Sequence, residues 1–228
     1  MRTVRATRYV TPLREGGSMP GLCEADDDGL YVVKLRGAGQ GPKALAAELL
    51  GGLLGRALGL PVPEVVLVEL DPEVGRAEPD PEVQDLLKAS AGTNVGMDFL
   101  PGALPFLGDA EPAFAADVVW FDGWLENVDR TPRNPNLLRW HGRTWLIDHG
   151  AALYRQHRGL GDPAQPFALL RDHVLLPHAG PLDEAAARLA PAAAAALGEA
   201  VAAVPADWLT VGTEAFLRAR LEARFWDA

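Results

Sequence analysis

Cysteine is almost absent: Cys23 stands alone among 228 residues. An intrachain disulfide is therefore excluded, and a cysteine-built zinc site lacks its ligands. Such usage fits a reducing compartment. Long apolar runs are missing as well. The nearest candidate, at 189–204, is Ala-rich but interrupted by Pro191 and Glu199, which reads as a soluble helix rather than a membrane span. The first 17 residues, MRTVRATRYVTPLREGG, hold no apolar core of signal-peptide length. The simplest expectation is a cytoplasmic protein with no membrane partner. Positive charge is also scarce. Lys plus Arg is 21 against 31 for Asp plus Glu, a net charge of −10. Phosphate neutralisation dominates nucleic-acid affinity, so direct nucleic-acid binding is not expected. Histidines do not pair at i, i+4 on a clear helix, and no zinc site is expected from them.

What remains is ordinary globular composition, 48% hydrophobic and 23% charged, enough to bury a core. The pattern suggests an α+β chain. Residues 3–10, 21–25, 30–35 and 65–70 read as strands, being rich in β-branched and apolar residues. Residues 43–59 carry Leu45, Leu49, Leu53 and Leu54 near helical spacing, and Gly59, Pro61 and Pro63 enforce the stop. A short helix is expected at 81–89 and a strand at 95–100, broken by Pro101-Gly102. Beyond that break the chain turns mostly helical, at 114–126, 183–204 and 213–226, with one hairpin at 137–147. The expected division is 1–100 and 101–228.

Three groups of residues are placed to carry chemistry. Lysine occurs only three times, and one of these, Lys34, sits inside the apolar strand VVKL. A buried ammonium needs a partner. Glu48, among apolar residues of the next helix, is available to it; an edge-strand lysine reaching water is the plain alternative. The second group is Asn127-Val128-Asp129-Arg130-Thr131-Pro132-Arg133-Asn134-Pro135-Asn136. Asp129 and Asn134 are five apart in a loop between a helix and a hairpin. A carboxylate there can accept a hydroxyl proton, and an amide oxygen five residues on can ligate Mg²⁺. Asn136 is a second candidate ligand. The same loop residues could merely cap backbone groups. The third group is Trp145-Leu146-Ile147-Asp148-His149-Gly150, an apolar strand ending in an aspartate suited to hold a metal, or to serve as a turn residue. Arg130 and Arg133 flank the loop and read either as guides for phosphate or as solvated side chains. His149 would help order the segment beside Asp148, and Cys23 reads as a small core residue.

Taken together, N-x-D-x-x-x-x-N followed by a hairpin and I-D-H-G resembles the HipA-like kinases of bacteria, as does VVKLRGAGQGPKALAAELLGGLLGRALGLPVPE. The resemblance implies a two-lobed protein-kinase-like fold, with a small β-rich N-lobe carrying one main helix and a mostly helical C-lobe. It also implies ATP and Mg²⁺ as cofactors, and transfer of a phosphoryl group to a hydroxyl of a protein or small-molecule acceptor. By position, it makes Asp129 the catalytic aspartate, and Asn134 and Asp148 the metal ligands. Lys34 would contact the nucleotide phosphates, held by Glu48. Gly16, Gly17 and Ser18 would lie over those phosphates, and the backbone of Met97–Leu100, including Asp98 and Phe99, would face the adenine. The chain departs from eukaryotic kinases in having Asn127 two residues before Asp129, His149 after Asp148, and few glycines at 16–18. A nucleotide-binding pseudokinase and a Mg²⁺-dependent phosphohydrolase with an aspartate nucleophile are the alternatives.

Overall fold

The computed structural model describes residues 1–13, 19–39 and 41–227. The expected phosphate-covering turn at Gly16, Gly17 and Ser18 lies outside the described residues. Two compact units divide the chain: Met1–Leu45 with Pro63–Pro101, and Ala46–Val62 with Gly102–Ala228.

The first unit is built on strands β1 (Thr3–Pro12), β2 (Gly21–Ala25), β3 (Leu30–Lys34), β4 (Val65–Leu70) and β5 (Gly92–Asp98). They close into a barrel in the order β1-β2-β3-β5-β4. All neighbours run antiparallel except β1 and β4, which pair in parallel with Val4 opposite Val68. Closure leaves the barrel without a bare edge. Alternation decides what faces inward. Val4, Ala6, Cys23, Tyr31, Val33, Val66, Val68 and Leu70 fill the interior. Each valine and leucine among them contributes roughly 1.5–3 kcal/mol by leaving water. Gly96 faces both Val33 and Val66 across the sheet; a Cβ there would lie 2.6 Å from Val68 Cγ2. Its missing side chain is what lets the barrel draw tight. Helix α2 (Pro81–Ala89) starts on an Asp80 cap that accepts from the Glu82 N–H, and it adds Val83 and Leu87 to the same core. Burial pushes the Cys23 thiol up to about 12, in keeping with a core residue rather than a nucleophile.

Helix α1 (Pro42–Ala57) is divided between the units, and its residues from Ala46 onward belong to the second. The sequence pattern assigns 46–62 to the first half of the chain; the structure groups them with the second unit. Gly51 and Gly55 face the rest of that unit: a Cβ at Gly51 would lie 2.6 Å from His149 Cβ, and one at Gly55 3.4 Å from Phe121 Cζ. Two helix-interior glycines each cost about 1 kcal/mol against alanine, a cost offset by this close approach.

The rest of the second unit surrounds helix α3 (Pro112–Trp124). From Val118 to Trp124 every residue of α3 is buried, as expected of a helix apolar on all sides. Trp120 and Trp124 stack with centroids 5.9 Å apart, and Trp124 Nε1 donates to the Leu217 carbonyl at 2.9 Å. Helix α4 (Leu182–Ala202) packs on α3 through Ala185, Leu189, Ala193, Leu197 and Ala200. By length and composition alone α4 could cross a membrane. Helix α5 (Thr213–Arg220) adds Phe216 and Leu217. A small sheet orders β6 (Leu104–Pro105), β7 (Leu137–Trp140) and β8 (Arg143–Leu146) side by side. This sheet and the end of α3 frame the loop at 125–136.

Candidate active site

Helix α3 ends at Trp124, and the chain reverses through Glu126 at φ +52°. Two prolines, Pro132 and Pro135, keep the next ten residues from helix. Side chains of the loop then take up the backbone groups. The Asn127 N–H donates to the Asp122 carbonyl at 2.8 Å, and Asn127 Oδ1 accepts from the Asp129 N–H at 3.2 Å. Thr131 and Asn134 exchange both backbone bonds at 3.1 Å, closing a tight turn.

That turn brings both amides onto Asp129. Asn134 Nδ2 donates to Asp129 Oδ2 at 2.8 Å. Asn136 Nδ2 donates to the Asp129 carbonyl at 3.1 Å and reaches Oδ2 at 3.4 Å. Both amides thus spend their NH₂ groups on Asp129. The two differ in setting. Asn134 is exposed; Asn136 is buried, sits at φ +48° and leads straight into β7.

Asp148 lies two residues past the end of β8. The Ile147 N–H donates to the Asn136 carbonyl at 3.0 Å, so sheet register ties Asn136 to the residue just before Asp148. Asp148 adopts φ +55°, a left-handed backbone uncommon for a residue with a side chain. Strain of this kind concentrates at functional sites. His149 is fully buried, edge-on to Phe121 with centroids 6.1 Å apart. It packs beside Phe121 of α3 and against Gly51.

Sequence reasoning missed what lies beneath. Asp122, in the last turns of α3, is fully buried and ion-paired with Arg130. His173 Nε2 lies 3.0 Å from the same carboxylate. Burial alone would raise the Asp122 carboxyl. Arg130 and His173 outweigh it and hold the group well below the usual carboxylate range. Arg130 is 1% exposed, so its reading as a solvated loop arginine or phosphate guide is corrected. Glu126 is buried next to Arg155 and Arg220, at 3.4 and 3.6 Å. Burial raises its carboxyl despite both arginines and pushes Arg220 down to about 10. Asp122 had a legible signal, a carboxylate inside an apolar helix. His173 had none, being 51 residues away.

In the first unit, Lys34 ends β3 beside Val32 on the outward face and pairs across the sheet with Val95. Glu48 belongs to the second unit and is 2% exposed. At 97–100, the Asp98 N–H donates to the Glu64 carbonyl at 2.8 Å and the Phe99 N–H to Leu30 at 2.9 Å. Those two N–H groups are already committed within their own unit.

Carboxylate and amide oxygens suit a hard cation such as Mg²⁺, which keeps several waters and phosphate oxygens beside one or two protein carboxylates. Among the described residues no group of three or more His, Cys, Asp or Glu forms a metal cluster.

A family model for HipA-like kinases matches residues 7–227. A search of curated proteins returns no match. Among solved structures, the Helicobacter pylori proinflammatory kinase CtkA superposes with a TM-score of 0.60 at 14% identity, over 96% of this chain and 93% of that one. The Golgi casein kinase with Mn/ADP bound gives a TM-score of 0.56 at 12% identity, over 96% and 71%. This chain therefore has a kinase-like mixed α/β fold.

Proposed function

The chain belongs to the HipA-like kinase family, and from that premise we propose that it transfers the γ-phosphoryl group of ATP to a hydroxyl of a protein or small-molecule acceptor, using Mg²⁺. The observation that carries this reading is the convergence of Asn134 and Asn136 on Asp129, with Asn136 bonded through its backbone to the residue before Asp148.

Asp129 orients the acceptor hydroxyl and takes its proton as the new P–O bond forms. Its two amide contacts fix the carboxylate before the acceptor arrives, which lowers the cost of alignment. Asp148 and one asparagine would hold the metal, whose charge would offset that developing on the phosphoryl oxygens. Asn136 is the better placed of the two amides. It is buried, it is locked to the Asp129 backbone, and its position in the ladder fixes its distance from Asp148; Asn134 stands in the exposed turn. Lys34 would neutralise nucleotide phosphate, with Glu48 as its counter-ion. The net charge of −10 disfavours a nucleic-acid acceptor.

The test is incubation of the purified protein with γ-labelled ATP and Mg²⁺, alone and with cell extract. Label is expected on the protein or on one extract component, and Asp129→Ala is expected to lower it at least a hundredfold while the far-UV circular dichroism stays the same. Label of equal intensity in Asp129→Ala would overturn the assignment.

A further inference from the structure

We infer that Arg130, held by Asp122 and His173, is a positioning residue that sets the spacing between Asp129 and the two segments carrying the candidate metal ligands; the inference rests on the kinase reading above. Arg130 follows Asp129 directly in the chain. Its Nη1 donates to the Asn136 carbonyl and, at 3.3 Å, to the Ile147 carbonyl. Ile147 immediately precedes Asp148. One guanidinium thus touches the backbone at, or next to, all three groups assigned to phosphoryl transfer. The backbone carbonyl of Arg130 in turn accepts from the Val174 N–H at 2.9 Å.

The other side of the guanidinium is fixed with equal care. Nε donates to Asp122 Oδ2, and Nη2 reaches Asp122 Oδ1 at 3.5 Å. Asn127 Nδ2 donates to the same Oδ1 at 3.0 Å. His173 Nδ1 accepts the Leu175 N–H at 3.0 Å. Its proton therefore sits on Nε2, which donates to Asp122 Oδ2 at 3.0 Å. The anchors come from α3, from the catalytic loop and from the segment at 173–175. Burying these charges is not an efficient route to stability, since an apolar replacement of similar volume often does as well. What a buried, fully bonded fork supplies is geometry. A planar guanidinium reaches two carbonyls and a carboxylate from separate nitrogens in a fixed fork, whereas a lysine ammonium would have to draw all of them to one nitrogen.

A purely structural role predicts that variants lose folded protein and that the folded remainder behaves normally. A positioning role predicts a change in metal demand and in turnover with ATP affinity largely kept. The experiment titrates Mg²⁺ at saturating ATP, follows ADP formation, and measures KM for ATP at saturating Mg²⁺, in wild type, Arg130→Lys, His173→Phe and His173→Gln. Arg130→Lys is expected to raise the half-saturating Mg²⁺ about tenfold and to lower kcat about a hundredfold, with KM for ATP little changed. His173→Phe should shift both values the same way by less. His173→Gln, which keeps an N–H for Asp122, should recover most of the loss. If Arg130→Lys does not fold, the two His173 variants carry the same comparison. Wild-type Mg²⁺ dependence and kcat in folded Arg130→Lys, or equal behaviour of His173→Phe and His173→Gln, would overturn the inference and leave the kinase reading intact. A wild-type protein with no Mg²⁺-dependent ADP formation would overturn the kinase reading and the inference with it.

Discussion

In the first unit two ion pairs of the described residues stand largely in water. Arg8 and Glu24 have side chains 64% and 43% exposed, and Arg2 and Asp27 43% and 28%. In the second unit Arg130 and Asp122 are both at 0%, and Arg220 and Glu126 at 0% and 1%. Exposed pairs exchange solvation for attraction at little net gain. Buried ones are costly to form and costlier to leave half-made. These two exposed pairs add little to the barrel, whose interior is apolar. The second unit draws on apolar packing too, but fixes its loop with charges that have no substitute in water.

The comparison breaks most sharply at Asp122. Asp122→Ala leaves Arg130 buried without its carboxylate, and a loss of roughly 3–5 kcal/mol is expected in denaturant unfolding. A loss under about 1 kcal/mol would mean that water reaches the site. Next is Gly96→Val in the barrel, where the new side chain meets Val68 at once. Overpacking of this sort costs about 1–3 kcal/mol, and a neutral result would show that the barrel widens easily. Smallest is Arg8→Ala, expected to leave the melting temperature where it is. A clear drop there would place stabilising charge in the first unit as well and remove the contrast.

Legibility in the sequence followed the same line. Barrel strands and α2 obey local rules: the β-branched, apolar run at 65–70 and the short helix at 81–89 were legible because neighbours in sequence decide them. The closeness of Asn134 and Asn136 to Asp129, and of Asn136 to the residue before Asp148, follows from one short loop and one hairpin. Arg130 was misread, since a polar loop predicts solvent and only tertiary structure buries it. His173 was invisible, because its link to Asp122 depends on two segments far apart in the chain. The membership of residues 46–62 also escaped a left-to-right division, for it rests on what Gly51 and Gly55 touch rather than on where they fall in sequence.

At the centre of the account is the proposal that Asp129, Asn136 and Asp148 would act as one metal-dependent phosphoryl site. Calorimetric titration of ATP into the protein with and without Mg²⁺ tests this most directly, comparing wild type with Asp148→Ala, Asn136→Ala and Asn134→Ala. The account predicts that Mg²⁺ strengthens ATP binding in wild type and Asn134→Ala, and that Asp148→Ala and Asn136→Ala lose at least about tenfold of that gain. Full Mg²⁺-dependent affinity in Asp148→Ala would contradict it.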